Sequence, residues 1–200
     1  MSFRQYMEQA GVRAVEAFPE ELRPEIYAVS FRIDHAEQDI RYPYLAIDYN
    51  TETTVRWESR EPGGVDAETA RWHYAHFALA DRGGVIGHDP HDPPRDPDGA
   101  AVHEAEVKGL GLWFEDVEEE HLEDGDGAVF ERLGAHFDDA VFHLARHLHT
   151  SGRLAAALGR PVPVVVFDMD RRGFEAAATA AVNPPDLVSA FLTWGERHWS

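Results

Sequence analysis

The chain contains no cysteine. That removes disulfides, thiolate zinc sites, iron–sulfur clusters and cysteine nucleophiles together, and it fits a reducing compartment. Positive charge is also scarce. Lys and Arg number 18 against 37 Asp and Glu, for a formal net charge of −19, and Lys108 is the single lysine. A surface this acidic repels nucleic acid and anionic membrane and attracts basic proteins, although solubility or adaptation to a salty cytoplasm accounts for the same balance. Long apolar runs are missing. None approaches the ~20 residues that span a bilayer, and the segment from Met1 to Tyr6 lacks the apolar core of a signal peptide. The expectation is a cytoplasmic protein. Glycine-rich phosphate loops are absent, since Gly109-Leu-Gly111 is too short and precedes no helix start, and Gly-x-Ser-x-Gly does not occur.

What is present suits one domain. A chain of 200 residues buries roughly 70% of its unfolded surface and needs no staple. Apolar spacing predicts a helix over 2–18, with Gly11 weakening its middle. Strict alternation predicts a strand over 26–33, with Tyr27, Val29, Phe31 and Ile33 on one face, and a second over 44–49 after a polar turn. A short strand over 53–57 is possible next, then a helix over 67–79 capped by Asp66. Pro, Gly, Asp and His dominate 81–101, which reads as a long loop. Leu110, Leu112, Trp113 and Phe114 suit a buried segment. Phe130, Leu133, Phe137, Val141, Leu144 and Leu148 form the stripe of a long helix that Gly152 stops. After a short helix, Val162 to Phe167 is apolar on both faces and reads as a central strand. Helices over 172–182 and from Asn183 onward, the latter capped by Asn183, close the chain. The fold class expected is α+β: an antiparallel or mixed sheet in a single domain, with helices packed mainly on one face.

Four constellations could carry chemistry. Asp168-Met-Asp170 resembles the first motif of haloacid-dehalogenase phosphatases, where one Asp attacks phosphate and the other handles the leaving group's proton. The following 30 residues read as helices, and Arg172 stands where that family places Thr or Val. The pair therefore reads as a strand end and helix cap. His143 and His147 have metal-ligand spacing, as more weakly do His73 and His76, but no His-Glu-x-x-His pattern accompanies them, so boundary histidines are the simpler reading. The stretch His88-Asp-Pro-His-Asp92, with Asp96 and Asp98, could offer carboxylates to a hard cation, though proline interrupts the order an EF-hand needs. The fourth is acidic: residues 101–126 hold ten Asp and Glu and one lysine. Acidic clusters steer basic partners and raise association rates.

Three stretches, Ile26-Tyr-Ala-Val-Ser-Phe31 with Asp48-Tyr-Asn-Thr-Glu52, Ala145-Arg-His-Leu-His-Thr-Ser-Gly152, and Gly159-Arg-Pro-Val-Pro-Val-Val-Val166 with Asn183-Pro-Pro185, together resemble a family of small uncharacterised bacterial proteins of the domain-of-unknown-function type. Such families recur among immunity proteins of polymorphic-toxin systems. The resemblance implies a fold and transfers no catalytic site. With the charge, it leads to the expectation of a non-enzymatic acidic protein, an immunity-type inhibitor that masks a basic toxin or other basic protein, without cofactor or metal. The binding residues expected are Trp113 and Phe114 as apolar anchors beside Glu115, Asp116, Glu118, Glu119, Glu120, Glu123, Asp124 and Asp126. The alternative is a metal-dependent hydrolase using histidines and the 88–98 loop.

Overall fold

A computed structural model describes residues 1–77, 83–115, 127–171 and 173–198. Strands β1 (Ile26–His35), β2 (Pro43–Thr51), β3 (Gly84–Gly87) and β4 (Val164–Asp168) form one sheet in the order β3-β2-β1-β4. β2 runs antiparallel to β1 and to β3, while β4 runs parallel to β1. The sheet is mixed and the fold is α+β. In chain order the helices are α1 (Phe3–Glu16), α2 (Glu52–Glu58), α3 (Ala67–Trp72), α4 (Pro97–Gly109), α5 (Gly127–Thr150), α6 (Arg153–Leu158), α7 (Phe174–Val182) and α8 (Pro185–His198). Among the described residues no helix is long and apolar enough to cross a membrane.

The larger core lies between one sheet face and α1, α5, α6 and α7. Val29, Phe31, Leu45, Ile47 and Val166 meet Phe3, Phe137, Leu144 and Leu154 there. On the opposite face, Ala28, Val165 and Phe167 pack against the smaller layer of α2, α3 and α8, through Val55, Trp72, Phe191 and Trp194. Alternation thus puts both faces of β4 under cover, as its unbroken apolar run implies. Gly11 sits where α1 crosses α5. A Cβ there would fall 2.5 Å from a Leu144 methyl, so the residue that weakens α1 also permits the close approach. Gly152 ends α5 in the left-handed region at φ +71°.

β4 is an edge strand, not the central one expected from its apolar run, because helices cover both its faces, and its free backbone is closed by side chains. The Val164 N–H donates to Asn183 Oδ1 and its carbonyl accepts from Asn183 Nδ2, both at 2.7 Å. The Val166 N–H donates to Thr179 Oγ1 at 3.0 Å. The Asn183 amide therefore stands in for a neighbouring peptide group, which removes an edge that would otherwise invite pairing. Asn183 is a staple for the sheet rather than a side-chain cap for α8.

Several expectations shift. Tyr27 packs with the smaller layer, not beside Val29, because an irregular register between Ile26 and Ala28 turns it over. Residues 53–57 are helical: Thr51 caps α2 by accepting from the Thr54 N–H, and this overrides the β-branched composition. α3 stops at Trp72, and Tyr74–His76 form one 3₁₀ turn. The stretch 81–101 is not one loop. It contains β3, and α4 begins at Pro97 with Asp96 as its cap.

Candidate functional site

The β1–β4 pair brings two strand ends together at one edge of the domain. Ligands of open sheets with parallel strands settle outside such carboxyl ends, and here a cleft of about 450 Å³ opens. Its apolar lining comes from Ile33, Ile40, Phe130 and Phe137, and its polar lining from His35, Glu131, Asp138, Asp168, Asp170 and Arg171. The volume falls in the range of small-ligand and side-chain sites.

Each wall has a local cause. On α5, Glu131, Gly134, Ala135 and Asp138 follow the three-and-four spacing of one helical stripe, beside the stripe of Leu133, Phe137, Val141 and Leu144 that is buried in the core. Gly134 leaves the space open, since a Cβ there would meet only Ile40 Cδ1, at 3.5 Å. From the β1–β2 turn, Gln38 joins the lining, and both Glu37 and Gln38 hold positive φ, at 57° and 59°. Such left-handed backbone in consecutive non-glycine residues is strained, on the order of 1–3 kcal/mol each, and clusters at functional positions.

Asp168 ends β4 and is buried. Its Oδ1 accepts from the N–H groups of Asp170 and Arg171, at 2.9 and 2.8 Å, and its Oδ2 accepts from Arg171 Nε and Nη2, at 2.8 and 2.6 Å. Arg171 also donates through both Nη atoms to Asp138, at 2.7 Å each, and lies 3.9 Å from the Phe174 ring centre. Burial works against the guanidinium charge, but Asp138 and Asp168 overcome it and raise the Arg171 pKa. Asp170 pairs with His35 Nδ1 at 2.8 Å. Both oxygens of Asp168 are therefore engaged by donors of its own chain, as expected of a strand end and not of a free nucleophile.

Of the residues expected to bind a partner, Trp113, Phe114 and Glu115 are among the described residues. The Phe114 ring meets the Phe130 ring edge-on at 4.6 Å and takes Arg41 on its face at 5.2 Å. Trp113 packs against Tyr42, and Lys108 sits over its ring. Both aromatics are half-buried in their own domain, so neither is a free apolar anchor; Leu110, expected inside, is exposed instead. Glu115 is exposed. Asp116, Glu118, Glu119, Glu120, Glu123, Asp124 and Asp126 lie outside the described residues. Phe130, which Phe114 meets, is itself part of the cleft lining.

The other candidates close on themselves. Asp89 is buried, accepts from the backbone and guanidinium of Arg95, and pairs with His91. Burial raises its pKa but these bonds win, holding it at about 2. Asp96 accepts from Tyr6, from the Gly87 N–H at 2.8 Å and from the Gly99 N–H at 3.3 Å. His143 bonds Glu8, His76 pairs with Glu58, and His149 bonds Asn183. Among the described residues no group of three or more His, Asp or Glu side chains is placed to hold a metal ion. Glu131, Gly134, Asp138 and His35 were not singled out by sequence. The signal that could have found the first three is the small-and-acidic stripe on α5. Set against known protein families, curated proteins and solved structures, the chain matches none.

Proposed function

We propose that this chain is a non-enzymatic acidic binding protein that masks a basic surface of another protein, in the manner of an immunity-type inhibitor. The observation that carries the reading is the charge balance at the cleft. Glu131, Asp138, Asp168 and Asp170 line it against one guanidinium, Arg171, which two of them already hold. An excess of carboxylate beside an apolar lining complements a basic protein surface, and the net charge of −19 extends the attraction to longer range. The resemblance to immunity-associated families points the same way. A metal-dependent hydrolase draws less support, because Asp89, Asp96 and Asp168 are engaged by arginine, tyrosine and backbone N–H groups.

Affinity capture with the whole chain as bait tests this. A captured partner should be basic, form a defined complex with purified bait, and release between about 0.15 M and 1 M salt, where the screening length falls from roughly 8 to 3 Å. Charge reversal by Glu131→Lys together with Asp138→Lys should abolish the complex. Partners that are acidic, or that bind regardless of salt, would sink the reading.

A further inference from the structure

We propose that the cleft beyond β1 and β4 is a receptor for one arginine side chain of the basic partner, which takes Asp138 in exchange for half of the clasp now made by Arg171. This inference rests on the basic-partner reading and names the group recognised.

The chain's own Arg171 shows what the rim selects. A planar guanidinium fits Asp138 two-pronged, at 2.7 Å on both oxygens, while its face rests 3.9 Å from an aromatic ring centre. A lysine ammonium reproduces neither the fork nor the stacking. The two carboxylates of the clasp are not equivalent. Asp168 is 1% exposed at its side chain and is fixed by two backbone N–H groups as well. Asp138 is 14% exposed and, among the described residues, hydrogen-bonds to Arg171 alone. Arg171 is 45% exposed, so it can yield Asp138 and keep Asp168. The space beside Asp138 is the cleft itself, one turn along α5 from Gly134, where Phe130 and Ile40 offer apolar cover to the methylenes of an incoming side chain.

The test is a titration of the whole chain, followed by backbone amide NMR, with acetyl-Gly-Arg-Gly-amide and its lysine and citrulline counterparts. The arginine peptide should shift amides of Ile33, Gly134 and Asp138 and bind about tenfold more tightly than the citrulline peptide, the span of one charge-assisted bidentate contact. Gly134→Leu decides the location. Leucine is a better helix former than glycine, its Cβ meets Ile40 at an ordinary 3.5 Å, no charge changes, and the rest of the side chain fills the cleft. It should remove the arginine preference. Arg171→Lys, which cannot bridge both carboxylates, should bind the arginine peptide a few-fold more tightly. Arginine binding unaltered by Gly134→Leu overturns the proposal. If the basic partner is still captured by Gly134→Leu with unchanged affinity, the masking reading stands and the cleft falls. If wild type captures no basic partner while the arginine peptide still binds at the cleft, the masking reading falls and the receptor remains.

Discussion

Two regions of this molecule look alike as sequence and behave as opposites. The stretch 88–96 and the cleft around Asp168 both concentrate Asp, His and one Arg. In the first, donors close on two carboxylates: Arg95 and His91 on Asp89, and Tyr6 with two backbone N–H groups on Asp96. His88, at its start, shares a hydrogen bond with His103 at 3.0 Å, inside a cage made with Phe3, His136 and Phe137. In the second, four carboxylates line about 450 Å³ of open space, two of them hold the one guanidinium and a third pairs with His35. The difference is that a carboxylate becomes a binding group through accessible space and unmatched charge, not through its neighbours in the chain. The first region should therefore answer to stability measurements, and the second to ligands.

The largest effect expected lies in the closed region. Asp89→Ala leaves Arg95, His91 and two backbone N–H groups without their buried acceptor. Hydrogen bonds to charged groups contribute roughly 1.5–3 kcal/mol each, and the arginine is partly exposed and can rehydrate, so a net loss of about 2–3 kcal/mol is expected. Urea unfolding at neutral pH measures it. A loss below about 0.5 kcal/mol, the size of a surface substitution, would mean that the loop is held by something other than Asp89.

The same region should make the protein acid-sensitive. Burial, and then the nearby His88 and His136, push His103 down to about 3. Burial also lowers His88. An unfolded histidine takes its proton near pH 6.5. Between about 6.5 and 3 the unfolded chain therefore binds protons that the folded chain refuses, and stability falls as pH falls, by at most about 1.4 kcal/mol per pH unit for each such group. Asp89 adds its own loss lower down, between its ordinary carboxylate range and about 2. Unfolding free energies at pH 7 and pH 5 for wild type and His103→Phe isolate the histidine. The variant should show the shallower slope, because the ring remains among Phe3 and Phe137 but no longer titrates. Equal slopes would assign the acid limb elsewhere.

How much of this was legible beforehand follows from the range of each signal. β1, β2, β4 and α5 were read within a few residues because period-two and period-3.6 patterns are local and strong. α4 was hidden by its own start signal: Asp96-Pro97-Asp98 is a cap followed by a proline in the first turn, but within a proline-rich run it reads as a breaker. β3, Gly-Val-Ile-Gly, is too short to show a period and forms because Gly84 to Gly87 pair with Tyr44 to Ile47. The cleft was half visible. Asp168 and Asp170 stood out as a motif, but what gives them meaning is distant in sequence: Asp138 lies 33 residues from Arg171, and His35 lies 135 from Asp170. No pattern in a single chain encodes such juxtapositions. The acidic run at 116–126 lies outside the described residues, and the cleft's own carboxylates come from α5 and the end of β4 instead.

The smallest effect expected sits in the open region and is the more exacting for that. Asp170 is 59% exposed at its side chain, and its partner His35 carries a charge only when protonated. A pair whose carboxylate is this exposed contributes about 0–1 kcal/mol. Asp170→Asn should therefore shift the urea midpoint by no more than experimental error, while it removes one carboxylate from the cleft and weakens capture of a basic partner in low salt. If instead Asp170→Asn destabilises the fold as much as Asp89→Ala does, the cleft carboxylates belong to the architecture, the contrast between the two regions disappears, and the excess negative charge at the cleft loses its meaning as a recognition surface.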